Sequence, residues 1–116
     1  MAKMDPKQAL YQTISLCRRA GALVCGFDAV VDAVMQGKTG LVIASADASE
    51  NTVKRMRQKV EDLADFRRMP LTQDDIAPVT RRGVAVCAIT DDNLAALCRK
   101  KLDECRKPED EEDISV

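Results

Sequence analysis

Leu41-Val42-Ile43-Ala44-Ser45-Ala46-Asp47-Ala48-Ser49-Glu50-Asn51-Thr52 joins a four-residue apolar run to a polar turn and a helix cap. So short and continuous an apolar run, without the alternation of a half-exposed strand, predicts a strand buried on both faces. Ser49 then offers the side-chain oxygen that a helix N-terminus needs. Val53, Met56, Val60 and Leu63 recur behind it at helical spacing and mark a buried stripe. A strand covered on both faces requires helices on both sides, so this stretch points to a layered α/β fold.

The flanking sequence extends the pattern. Upstream, Asp5-Pro6 reads as a cap followed by proline in the first helical position. Leu10, Ile14 and Cys17 continue that helix to about residue 20, and Gly21 stops it. Leu23 to Cys25 is a short strand ended by Gly26. A second helix runs from about Phe27 to Gln36, with Val30, Ala33 and Val34 on one face. Downstream, Phe66 to Leu71 is a weaker strand that Pro70 places at an edge or strand end. Thr72 opens a short helical turn limited by Pro78. Val84 to Ile89 is a last buried strand, and Thr90 or Asp91 caps a final helix lined by Leu94, Leu97, Cys98, Leu102 and Cys105. The alternation predicts one domain over residues 1–106: a three-layer α/β/α sandwich with a single four-stranded sheet. Glu109 to Asp113 are all acidic and follow Pro108, so residues 107–116 are expected to form a disordered tail.

Composition narrows the chemistry. The chain has 116 residues and no histidine, so the commonest general base near neutral pH is missing. Its five cysteines form no C-x-x-C pair, and each lies in an apolar pattern, where a thiol behaves as a small hydrophobe. Gly37-Lys38-Thr39 resembles the end of a phosphate loop. That loop needs a glycine five positions earlier, where Asp32 stands. No catalytic spacing, metal cluster or cofactor loop is visible, so neither an enzyme nor a cofactor is expected. No apolar run reaches the roughly 20 residues of a membrane span. Residues 1–7 do not resemble a signal peptide, so a cytoplasmic protein is expected.

Net charge is −1 overall, but the acidic tail hides a body of +3 over residues 1–106. That balance is compatible with nucleic acid without demanding it. Lys54, Arg55, Arg57 and Lys59 read as a solvated helix face. Arg18-Arg19 closes a helix, where cations favour the dipole. Arg81-Arg82 precedes Gly83 in a loop where no cap or helix requires it, which makes the pair a candidate phosphate contact. Tyr11, Phe27 and Phe66 are the only aromatics. They are too few for a base-stacking platform, so a nucleic-acid partner would be read by shape and backbone.

Cys17-Arg18-Arg19-Ala20-Gly21-Ala22-Leu23-Val24-Cys25-Gly26, then Ala33 to Lys38, then Leu41 to Thr52, then Val84 to Asp91 together resemble the YlxQ-type members of the kink-turn-binding ribosomal protein family (the L-seven-Ae and L-thirty-e type). The resemblance covers about residues 8–103. It implies the same α/β/α sandwich, no cofactor and no catalysis. It also implies binding to kink-turn or similar structured RNA, with ribosomal RNA and ribosome-associated proteins as partners. In wider relatives the RNA surface comes from three places. They map here to Gly26, Phe27 and Asp28; to Ser45, Ala46 and Asp47; and to Thr80, Arg81, Arg82 and Gly83. A glycine lets RNA backbone approach closely, a helix N-terminus offers free N–H groups, and Asp28 accepts hydrogen bonds from a guanine edge.

The chain departs from the pattern in places. Asp28 and Ala29 stand where wider relatives have Asn-Glu. Asp32 replaces an expected lysine, and Ala22 another. Ile76-Ala77-Pro78 replaces a Leu-Gly pair, which predicts a shorter or bent fourth helix. An anion on a phosphate-facing surface opposes binding. A second reading therefore keeps the fold and turns the surface to a protein partner, with Asp28 and Asp32 around an exposed Phe27 anchor.

Overall fold

The computed structural model describes residues 5–81 and 83–105. Five helices and four strands alternate: α1 (Pro6–Arg19), β1 (Leu23–Cys25), α2 (Phe27–Met35), β2 (Leu41–Ala44), α3 (Glu50–Val60), β3 (Asp65–Arg68), α4 (Gln73–Thr80), β4 (Val86–Ile89) and α5 (Asp92–Glu104). The strands form one sheet in the order β1-β4-β2-β3. β4 runs antiparallel to both neighbours, and β2 runs parallel to β3.

The two-residue period of a strand sorts its side chains onto two faces. Leu41 and Ile43 of β2, with Cys87 and Ile89 of β4, pack with Leu10, Ile14 and Cys17 of α1, Ile76 and Val79 of α4, and Ala95, Cys98 and Leu102 of α5. Val42, Ala44, Val86 and Ala88 point the other way, into Val30 and Val34 of α2 and Val53, Met56 and Val60 of α3. All four residues of β2 are buried. The three layers are thus α1/α4/α5, sheet, and α2/α3, as the apolar run predicts. Burying each such aliphatic side chain contributes about 1.5–3 kcal/mol.

Helix starts follow the expected chemistry. Asp5 accepts from Lys7 N, Ser49 from Thr52 N, Thr72 from Asp75 N and Asp91 from Leu94 N. Thr39 is buried and belongs to no phosphate loop. Its hydroxyl donates to Ile89 O at 2.6 Å and accepts from Leu41 N at 3.2 Å, joining β2 to β4. Four cysteines meet as thiols inside the core, Cys17 with Cys98 at 4.0 Å and Cys25 with Cys87 at 3.8 Å. Contact with Cys25 and burial raise the Cys87 thiol well above its ordinary pKa.

Several expectations need correction. α3 ends at Val60 because Glu61 turns to φ 43°. Leu63 therefore leaves the helical period and stands 59% exposed instead of extending the buried stripe. The third strand is Asp65–Arg68 and the fourth begins at Val86, not Val84. Ala85 O still accepts from Ser45 N, in register with the β2–β4 ladder, but the chain bends there and the strand proper starts one residue later. α4 runs two residues past Pro78, because a proline removes only its own helical N–H and obstructs one carbonyl behind it. The edge strand β3 is tied to α5 by charge. Arg67 bridges Asp65 at 3.0 Å and Asp103 at 2.8 Å, and Arg99 reaches Asp65 at 3.2 Å. The tail expected from residue 107 lies outside the described residues.

Candidate nucleic-acid interface

β1 and β2 end, and β4 begins, at the same end of the sheet. This antiparallel arrangement draws three loops together. Gly26 N donates to Val86 O at 3.0 Å, and Ser45 N to Ala85 O at 2.8 Å. Ala46 N donates to Leu71 O at 2.8 Å, which adds the segment leading into α4. Gly83 completes the group: a Cβ there would stand 3.2 Å from Gln73 Cβ, so only glycine fits without displacement. The Gly26–Asp28 segment, the Ser45–Asp47 turn and Gly83 are therefore brought to the same end of the sheet, while Arg81 stands at the C-terminal end of α4. Arg82 lies outside the described residues.

Gly26 has φ 100° and ψ 147°, a region essentially closed to residues with a Cβ. No heavy atom lies within 4 Å of where that Cβ would be, so the backbone here is open to approach. α2 begins immediately after it with no side-chain cap, which leaves the first N–H groups of the helix without an intrahelical partner. Asp28, Ala29 and Asp32 are all exposed along α2, and the Asp32 carboxylate accepts from Gln36 Nε2 at 3.2 Å.

Phe27 is half-buried, not a protruding anchor. It packs on the α2/α3 core, and the Arg55 guanidinium lies over its ring at 4.6 Å. A cation over an aromatic face is worth about 0.5–1 kcal/mol at an exposed site. The contact places one charge of the α3 basic face beside the start of α2. No sequence pattern signalled it, because the two residues meet only through α2–α3 packing.

Asp47 serves the fold as well as the surface. Its carboxylate accepts from Gln73 N at 3.0 Å, pinning the β2–α3 turn to the first residue of α4. That hydrogen bond holds the Asp47 carboxyl below its ordinary 3.8, and the nearby Ser45 side chain acts weakly in the same direction. A depressed carboxylate contributes stability above its unfolded pKa and loses it as pH falls through the folded value. Asp47→Asn should therefore flatten the decline in melting temperature below pH 3.8. Thermal melts from roughly pH 5 to pH 2 test this; parallel curves for the two proteins would refute it.

Arg81 is the C-cap of α4, contrary to the expectation that no cap requires the pair. It adopts φ 71°, and its N–H donates to Ala77 O at 2.7 Å. Arg18, read as a dipole partner at the end of α1, also donates from Nη1 to Val79 O at 3.0 Å. This ties α1 to the last turn of α4.

No family profile matches the chain. The RNA-binding protein YlxQ of Bacillus subtilis (strain 168) is 29% identical over 90 residues, which are 73% of this chain and 86% of that protein. A Bacillus halodurans protein of unknown function superposes with a TM-score of 0.74 at 24% identity, over 81% of this chain and 96% of its own. The 15.5 kD RNA-binding protein of Giardia lamblia superposes with a TM-score of 0.69 at 18% identity, over 91% of this chain and 94% of its own. The YlxQ-type resemblance is borne out. The sequence similarity to YlxQ and the superposition on both solved structures agree with the α/β fold described above. Ala29 and Asp32, where the chain departs from the pattern, change exposed positions on α2 and leave the buried framework intact.

Proposed function

We propose that this protein is a non-catalytic, cytoplasmic RNA-binding protein that recognises kink-turn or similarly structured RNA in a ribosomal setting. The observation that carries this reading is the convergence of the Gly26, Ser45 and Gly83 segments at one end of the sheet. The sequence similarity to an RNA-binding protein supports it. Gly26 gives RNA backbone room to approach. The open N-terminus of α2 offers N–H donors to a phosphate or base edge, and Asp28 beside it accepts from a guanine. Ala46 borders the same surface through its bond to Leu71 O, and Arg81 follows at the end of α4. Asp47 positions the loop through Gln73, so its part in recognition is indirect.

The alternative, a protein-binding surface anchored on Phe27, is less well supported. An anchor must protrude into a partner's pocket, and Phe27 is half-buried under Arg55. Titration against a kink-turn RNA and a control with its tandem G·A pairs disrupted, at one moderate salt concentration, separates the two readings. The expected preference for the intact kink is about tenfold, or about 1.4 kcal/mol. Equally weak binding to both RNAs would overturn the kink-turn reading.

A further inference from the structure

Three arginines from two distant stretches of sequence line one open cleft of about 260 Å³. Arg18 and Arg19 come from the end of α1, and Arg81 from the C-cap of α4. Tyr11, Ser15, Pro78 and Val79 complete the wall, and among the described residues no carboxylate lines it. The bond from Arg18 to Val79 O sets this spacing, because it locks the end of α1 against the turn that carries Arg81. One bond leaves most of the five N–H donors of the Arg18 guanidinium unspent.

This grouping contrasts with Arg67, Arg68 and Arg99, each of which sits within ion-pair distance of a carboxylate. Arg18, Arg19 and Arg81 form no ion pair with the described residues. Gathering like charges around one concavity opposes folding unless an anion offsets it. Guanidinium groups also match the geometry of phosphate oxygens better than any other cation. Arg81 adds a second cost, since a non-glycine residue at φ 71° is in a strained backbone region.

We infer that this cleft is a phosphate-binding subsite, in which Arg18, Arg19 and Arg81 hold one phosphate group with the Tyr11 and Ser15 hydroxyls at its rim. Resting on the RNA reading above, the phosphate belongs to the bound RNA strand, which extends the footprint from the end of the sheet onto α1. The subsite itself is defined by oxyanion chemistry, and inorganic phosphate is its simplest probe.

The test uses the full chain with Arg19→Gln, Arg81→Gly, the double variant, and Lys100→Gln as a charge-matched control on an exposed position of α5. Each cleft variant should weaken binding to the kink-turn RNA about 5- to 10-fold. Each should also make the slope of log K against log salt shallower by about 0.7–0.9. Because both arginines hold the same phosphate, the double variant should lose less than the product of the two single losses. Arg81→Gly should at the same time raise the melting temperature by relieving the backbone, a combination that a merely structural arginine would not give. Lys100→Gln should leave the slope unchanged.

Unchanged affinity and slope in both cleft variants, with wild type still binding RNA, would remove the cleft from the footprint and overturn the inference while leaving the RNA reading intact. If wild type binds neither RNA, titration with inorganic phosphate decides. Saturable binding lost in Arg19→Gln and Arg81→Gly would keep the subsite and assign it a free oxyanion. No binding would overturn it.

Discussion

Gly26→Ala should lower stability by about 1–3 kcal/mol and weaken RNA binding at least about tenfold, or about 1.4 kcal/mol. The cost is conformational and not steric. The backbone at Gly26 sits at φ 100°, ψ 147°, while the space where a Cβ would stand is empty. An alanine is accommodated there only if φ rotates. Rotation moves Gly26 N off Val86 O, 3.0 Å away, and swings the first turn of α2 away from the other loops. Gly21→Ala is the proper control. Gly21 also has positive φ, at 71°, but it follows α1 and lies outside the three loops. It should lose stability by about 1 kcal/mol with RNA affinity preserved. Isothermal titration of both variants, alongside their melts, separates the two effects. Wild-type affinity in Gly26→Ala would place RNA recognition elsewhere on the molecule.

Ile43→Ala should cost about 3–4 kcal/mol, within the usual span for truncating a buried isoleucine. Ile43 is 0% exposed, in a strand flanked by β4 and β3, and it belongs to the cluster shared by α1, α4 and α5. Neither sheet neighbour can move to fill the space without breaking ladder hydrogen bonds, so the cavity stays open. Domain stabilities are about 5–15 kcal/mol, so the loss is a large share of the total. Met35→Ala, at a side chain 56% exposed, should change stability by less than about 0.5 kcal/mol. Urea denaturation gives both values from the shift in midpoint at unchanged slope. A loss below about 1 kcal/mol for Ile43→Ala would mean that this face of the sheet is not the packed core described here.

Much of the framework was legible in the chain because it rests on local rules. The unbroken apolar run Leu41–Ala44 and the later run ending at Ile89 are strands covered on both sides. Asp5, Ser49, Thr72 and Asp91 each cap the helix that follows. The errors fell at element ends, where competing contacts decide. The positive φ of Glu61 released Leu63 from α3, and the bend of the chain at Ala85 delayed β4.

The candidate site was legible in pieces only. Gly26, Asp47 and Arg81 could be picked out as a glycine, a turn carboxylate and a loop cation, but their real duties depend on partners distant in sequence. Asp47 holds Gln73, and Arg81 ends α4 beside Arg18. The contact of Arg55 with Phe27 across 4.6 Å left no trace in spacing, because α2 and α3 choose their relative position by packing and not by sequence distance.

The sequence by itself therefore determined the layers, the buried strands, most caps and the positions at which only glycine serves. Each of these follows from periodicity or backbone sterics within a few residues. Tertiary structure decided the strand order, the meeting of three loops at one end of the sheet and the gathering of Arg18, Arg19 and Arg81 around one cleft. Those depend on which apolar faces share a core, and burial of apolar area is non-directional, so no short stretch of sequence encodes it.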